Sequence, residues 1–263
     1  RLEFWEALPH EFVSVAWGEN NHRRLVLGGT AGEVTSGAMT AAVELVQDDG
    51  PFLLPEDFAR ANVFLRHHRE TENHQLTITA TGYTAEWDST DQIPARAVAD
   101  GSLDRFGFVD PTDGGESERF SLTVASEWQH GDSETRFDAY ALTYRLDLFS
   151  NFTYFLEDPI NGDQFEQVDD RTILGGTLTH AWTAGSERGT RHTLGLQTQV
   201  DLIDEVGLHL TRERVRLNTV RTDEIQETSV AAYWQSETAW TDRLRTIAGV
   251  RADAYWFDVT SDL

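Results

Sequence analysis

The residues with chemical potential are few, and their spacing argues against catalysis. The run "RHHRETENH" (66–74) brings three imidazoles together and invites a metal reading. Successive side chains of an extended segment point to opposite faces, however, so His67 and His68 cannot grip one ion without a bulge. The acid pairs Asp48–Asp49 and Asp169–Asp170 diverge for the same reason, which removes them as paired carboxylates for acid–base work. "DPINGD" (158–163) has the oxygen donors that suit Ca²⁺ but lacks the EF-hand pattern. Gly-x-Ser-x-Gly, His-Glu-x-x-His, the P-loop and Gly-x-Gly-x-x-Gly do not occur. The chain therefore reads as a non-enzyme with no cofactor and no metal site.

Binding chemistry is better represented. Two long segments, expected as loops over about 88–117 and 150–169, mix aromatic rings with acids and amides. Trp87, Asp88 and Asp91 open the first. Phe152, Tyr154, Phe155, Asp158, Asn161 and Asp163 fill the second. A solute site needs a largely apolar wall with a few placed polar atoms, and these residues supply both kinds. The alternative for each is a solvated acidic surface.

The elements that would carry those loops alternate with period two. Phe120, Leu122, Val124 and Trp128 oppose Arg119, Ser121, Thr123 and Glu127. Leu174, Leu178 and Trp182 share a face, as do Leu194, Leu196, Val200 and Leu202. Val250, Ala252, Ala254 and Trp256 oppose Arg251 and Asp253. Such patterns predict strands with one apolar and one polar face. The reading gives strands at about 11–17, 22–30, 37–47, 58–68, 74–87, 118–129, 134–149, 170–184, 190–203, 223–237 and 243–258. In the strand at 134–149 it places Tyr140, Leu142, Tyr144, Leu146 and Leu148 outward, with Arg145 and Asp147 inward.

The connections alternate between short and long after the first, with long loops expected at about 48–57, 88–117, 150–169 and 204–222. Tight turns at one end and long loops at the other are the pattern of an up-and-down transmembrane β-barrel. Its apolar positions would face lipid and its polar positions a wet lumen. Arg145, Asp147, Gln197, Gln199, Asp201, Arg251 and Asp253 are the expected lumen-facing set, their mixed signs suited to packing against another polar body. Trp17, Trp87 and Trp256 fall at long-loop ends, and Trp128, Trp182 and Trp240 near short turns, as two interfacial aromatic levels require.

Composition agrees. The 263 residues carry a net charge of −24, no Cys, one Met and eight Trp, and every basic residue is Arg. So acidic a chain is a poor partner for nucleic acid, whose phosphates need clustered basic groups. No stretch is long and apolar enough for a membrane-spanning helix, and only alternate residues of a barrel strand need be apolar.

Four segments resemble a known family: "WDSTDQIPARAV", "DRFGFVDPTDGGES", "YRLDLFSNFTYFLEDPINGDQFEQVDDRTILGG" and "EVGLHLTRERVRLNTVRTDEIQETSVAAYWQSET" are similar to barrel segments of TonB-dependent outer-membrane receptors. The resemblance covers most of the chain. It implies a plug domain inside a barrel of about 22 strands, of which these would be the first half, with residues 1–10 as the exit from the plug and 11–263 as barrel. It also implies uptake of a scarce solute (siderophore-iron, cobalamin, another metal chelate or a sugar) across the outer membrane of a Gram-negative bacterium. Outer-membrane lipid, the solute, the protein's own plug and the TonB system would be the partners. The TonB-contacting box, the plug and the closing strand with its terminal aromatic are expected outside this segment. The competing readings are a passive porin or channel and a soluble acidic β-sandwich that binds carbohydrate.

Overall fold

The computed structural model describes residues 7–185 and 189–262. They form one sheet of 11 strands in sequence order, each pairing antiparallel with its neighbours. The strands are β1 (Phe12–Trp17), β2 (Arg23–Ala31), β3 (Ala38–Asp48), β4 (Phe58–Glu70), β5 (His74–Asp88), β6 (Gly114–His130), β7 (Ser133–Ser150), β8 (Phe165–Ala184), β9 (Thr190–Arg212), β10 (Val215–Thr241) and β11 (Leu244–Asp262). A short helix, α1 (Ala95–Ala99), lies in the β5–β6 loop. Length grows along the chain, from 6 residues in β1 to 27 in β10. The all-β meander expected from the alternation is the observed fold. Residues 1–6 of the expected plug exit, and the centre of the β8–β9 link, lie outside the described residues.

The registers sort the side chains onto two faces. One row runs Leu27, Val43, Val63, Gly82, Phe120, Thr143 from β2 to β7. The neighbouring row on that face holds Leu65, Leu122, Ala141, Leu174 and Val200. The opposite face is polar: Thr40, Arg66, Thr79, Thr123, Tyr140, Gly175 and Gln199 form one row. Among the described residues no second layer covers the apolar face. Val13, Leu65, Phe120, Leu196 and Val250 remain exposed, at 70, 45, 52, 55 and 65 %.

The expected facing of β7 is reversed. Tyr140 pairs with Thr123 and Gly175, and Tyr144 pairs with Arg119 and Arg171, so Tyr140, Leu142, Tyr144, Leu146 and Leu148 lie on the polar face. Arg145 and Asp147 lie on the apolar side, opposite to Gln197, Gln199, Asp201, Arg251 and Asp253. They are accommodated there because they sit beyond the Phe120–Thr143 row, toward the long-loop end. At that level the face turns to charge: Arg145 is beside Glu118 and Asp170, and Asp147 beside Glu116.

A second correction concerns the loop expected at 204–222. β9 and β10 continue as a hairpin through that stretch and close on a two-residue turn, Glu213–Arg214, with φ of 51° and 62°. Bulges at 216–218, 219–221 and 223–225 break the period of two, which disguised the strand. The loops at 88–117 and 150–169 are also shorter than expected, spanning 89–113 and 151–164.

The tryptophans follow the faces in part. Trp128 and Trp182 share the apolar face with Trp234 near the short-turn end. Trp128 stacks on His74 with centroids 5.2 Å apart, and Trp182 lies 5.3 Å from His192. Trp87 instead pairs with Gly115 on the polar face, and Trp240 belongs to β10 rather than to a turn.

Candidate functional site

The long-loop end is knotted by hydrogen bonds, and Gln164 is its centre. It is 2 % exposed, and its side chain reaches two segments distant in sequence. Nε2 donates to Thr112 Oγ1 at 2.8 Å and Asp113 Oδ1 at 3.1 Å in the β5–β6 loop. Oε1 accepts from Thr211 Oγ1 at 3.0 Å and from the Arg214 N–H at 2.9 Å in the β9–β10 hairpin. A buried amide with both ends satisfied fixes its surroundings, because any displacement strands several polar groups at once.

Arg214, at the hairpin tip, completes the link. Its guanidinium donates to the Asp88 carboxylate and to the carbonyls of Thr112 and Asp113, and lies 5.6 Å from the centre of the Phe149 ring. Asn151 ties the two loops directly: its N–H donates to Asp91 Oδ2 and its Nδ2 to Asp110 Oδ2, both at 2.8 Å. Tyr154, held at φ 62°, donates its phenol to the Gln92 carbonyl.

Three carboxyls, Asp91, Asp110 and Asp113, converge in this knot. Asp113 is wholly inaccessible, and its Oδ2 has no hydrogen-bond partner among the described residues. Burial pushes its carboxyl up to about 7; the Gln164 amide opposes the shift, and Asp110 and Asp91 add to it. Burial first, and then the same three carboxyls, push the Tyr154 phenol up as well.

Of the residues expected to touch a solute, Asp158, Asn161 and Asp163 spend their polar groups on their own loop. Asp163 accepts from the N–H groups of Leu156 and Asp158 at 2.8 and 2.7 Å. Asp158 accepts from those of Ile160 and Asn161, both at 2.9 Å, and from the Asn161 side chain. Hydrogen bonds from Asn161 hold the Asp158 carboxyl below its usual range. Burial is the largest single influence on the Asp163 carboxyl and pushes it up. Hydrogen bonds from the backbone of Asp158, Glu157 and Leu156 and from Thr153 together hold it below the usual range. These groups shape the turn. Asp88 and Asp91 are likewise engaged, with Arg214 and Asn151. What the loop presents outward is mostly apolar: Phe152, Phe155, Leu156 and Ile160 are 52, 56, 71 and 79 % exposed, with Thr153 and Glu157 exposed among them. Phe152 also packs edge-on against Phe165, 5.4 Å away.

The polar face carries a second concentration of functional groups. Glu44, Asn62, Tyr83, Arg119, Tyr144 and Arg171 fall in one register row across β3 to β8. Glu44 accepts from Arg24, Arg60 and Asn62. Farther along the sheet, Tyr140 donates to Gln199, and Arg251 bonds both Gln197, at 2.6 Å, and Asp253. Gln199 reaches Asp201 at 3.3 Å. Sequence reading missed Gln164, Asp113 and Arg214, since nothing local marks them. Arg119 was legible as a polar-face residue but not its neighbours Tyr83 and Tyr144, which only pairing brings beside it. His67 and His68 lie on opposite faces. Among the described residues no three His, Asp or Glu side chains are placed to hold a metal ion.

This architecture is an antiparallel up-and-down sheet of the kind found in the barrels of TonB-dependent receptors. The chain superposes on the crystal structure of the ferric citrate transporter FecA in its unliganded form with a TM-score of 0.69. The pair share 10% identity, over 95% of this chain and 38% of that one. It is similar to P. aeruginosa FpvA in complex with an iron-loaded heterologous pyoverdine, with a TM-score of 0.63 and 11% identity over 96% of this chain and 38% of that one. It also resembles the siderophore receptor PiuA from Acinetobacter baumannii, with a TM-score of 0.57 and 11% identity over 97% of this chain and 47% of that one. The chain thus spans well under two thirds of these structures. No family profile and no curated protein matches it.

Proposed function

We propose that this chain is part of an outer-membrane β-barrel receptor that takes up a scarce small solute, with energy delivered through TonB. One observation supports the membrane placement: a single-layer sheet has one face of exposed Leu, Val, Phe and Ala on which no described residue packs as a second layer. Each large apolar side chain removed from water contributes about 1.5–3 kcal/mol. A domain's whole net stability is about 5–15 kcal/mol. Lipid is the solvent that suits so wide an apolar face, and the polar face then lines the lumen. Sheet edges in lipid require closure, so β1 and β11 would pair with the remainder of a longer barrel.

An iron chelate is the leading solute. The fold likeness to a ferric citrate transporter, a pyoverdine complex and a siderophore receptor supports it, as does the sequence resemblance to TonB-dependent receptors. Gln197, Gln199, Asp201, Arg251 and Asp253 would line the lumen. The exposed rings of Phe152 and Phe155 would offer stacking surface at the mouth, held in place by the Gln164 knot. The test is uptake of radioactive iron chelates by cells carrying the full-length protein, with and without TonB. Accumulation that requires TonB is expected. Equal entry in both strains would instead support a passive channel.

A further inference from the structure

We propose that the polar face holds an anion-binding basin centred on Arg119, suited to a small polycarboxylate. The inference rests on that face being the lumen wall of a receptor. A concavity of about 660 Å³ lies there, lined by Glu44, Asn62, Tyr83, Arg119, Ser121 and Tyr144 among others. That is within the range of about 300–1,000 Å³ typical of small-molecule sites.

The charges of the wall single out Arg119. Over the stretch of β2–β6 that carries Arg24, Arg60, Arg66 and Arg119, Glu44 is the only carboxylate among the described residues on that face. Arg24 and Arg60 bind it at 2.7 and 3.1 Å, so its charge is already shared. Arg119 is exposed, with no carboxylate partner among the described residues. A cationic wall in a chain of net charge −24 is a local reversal. It attracts anions that the rest of the surface repels.

The flanking residues give the site its chemistry. The register sets Tyr83 on one side of Arg119 and Tyr144 on the other, both half-buried. A guanidinium presents a planar fork of donors that matches a carboxylate, and each phenol adds one O–H donor beside it. Asn62 extends the polar rim toward Glu44. Donors thus outnumber acceptors around the cation, as an anion requires.

The test uses full-length protein in detergent at low salt, titrated by tryptophan fluorescence with two probes: ferric citrate as a polycarboxylate chelate and a neutral ferric trihydroxamate. Arg119→Gln is expected to weaken ferric citrate binding about tenfold or more, with Arg119→Lys recovering part of the loss. Tyr83→Phe and Tyr144→Phe, which preserve ring packing, should each weaken it less and serve if Arg119→Gln fails to fold. Ferric citrate affinity unchanged in all these variants overturns the inference, and so does binding of the neutral chelate alone. Arg119→Gln that spares affinity but exposes an acidic segment of the protein to protease would assign Arg119 to an internal contact, overturning it equally. Binding of neither probe would overturn the inference, while the iron-chelate reading stands or falls separately, on the uptake experiment.

Discussion

Tyr140 and Gln199, on β7 and β9, meet across the bare backbone of Gly175 on β8. The phenol donates to Gln199 Oε1 at 2.8 Å, and a Cβ on Gly175 would come within 2.3 Å of the Tyr140 ring. The glycine is needed because the ring occupies the space a side chain would take. Tyr233 lies over Gly195 in the same way, so two large rings on the polar face are seated on glycines.

Gly175→Ala should therefore displace Tyr140 and cost about 1–3 kcal/mol. Adding Tyr140→Ala should return part of that loss, because the two positions share one volume. Denaturant resistance of the full-length barrel in detergent measures both. Additive effects would show that the ring and the glycine do not compete.

The facing of β7 predicts opposite outcomes at adjacent residues. Ala141 lies between Leu122 and Leu174 on the apolar face, and Leu142 between Ser121 and Ile173 on the polar one. In the proposed membrane placement Ala141→Arg should destabilise assembly by about 2–4 kcal/mol near the midplane. Leu142→Arg should be tolerated. Heat-modifiable electrophoretic mobility of the two variants separates the cases, and equal damage would contradict the facing.

The loop knot should loosen as pH rises. Asp113 titrates near 7 when folded, above its ordinary value of 3.8, so the folded state holds the proton more tightly. Its contribution is complete below about pH 4 and is lost as pH rises through about 7. Hydrogen exchange in 89–113 and 151–164, corrected for intrinsic rates, should show more protection at pH 5 than at pH 8. Asp113→Asn should flatten that difference. A variant with the parent's pH profile would place the titrating group elsewhere.

Gln164→Leu removes an amide that Thr112, Asp113, Thr211 and the Arg214 N–H lean on, leaving buried donors and acceptors unpaired at about 1–3 kcal/mol each. Faster proteolysis within 89–113 and 151–164 is expected, with the strands unaffected because the bond Gln164 makes to the Thr211 N–H uses its backbone carbonyl, which the substitution keeps. Parent-like cleavage would mean that the loops are held by their other contacts.

Replacing 152–163 with a short Gly/Ser linker tests recognition at the mouth. Asn151 and Gln164 stay in place, so their links survive, while the Tyr154 bond to Gln92 and the exposed Phe152, Phe155, Leu156 and Ile160 are lost. Uptake should fall sharply with barrel assembly intact. Undiminished uptake would move recognition to the wall, where Arg119 lies, or outside this chain.

The sequence by itself determined that the chain is a meander of strands. A period of two in Phe120–Trp128, Leu194–Leu202 and Val250–Trp256 needs no tertiary information, because it is a property of the extended backbone. It also determined which face is apolar wherever large aliphatics opposed charged residues. In β7 that contrast fails: the apolar side carries Ala139, Ala141 and Thr143, and the polar side Tyr140, Leu142 and Tyr144. Alternation has a period but no sign, so only pairing with Phe120 and Leu174 decided the facing. The hairpin at 204–222 was hidden for a related reason, since bulges shift the period and the turn Glu213–Arg214 lacks the Gly or Asn that marks a positive φ. The meeting of Gln164, Asp113 and Arg214, and of Tyr83, Arg119 and Tyr144, rests on contacts spanning tens of residues. Strand register sets the second meeting and carries the loops that make the first, and register is a property of the whole sheet.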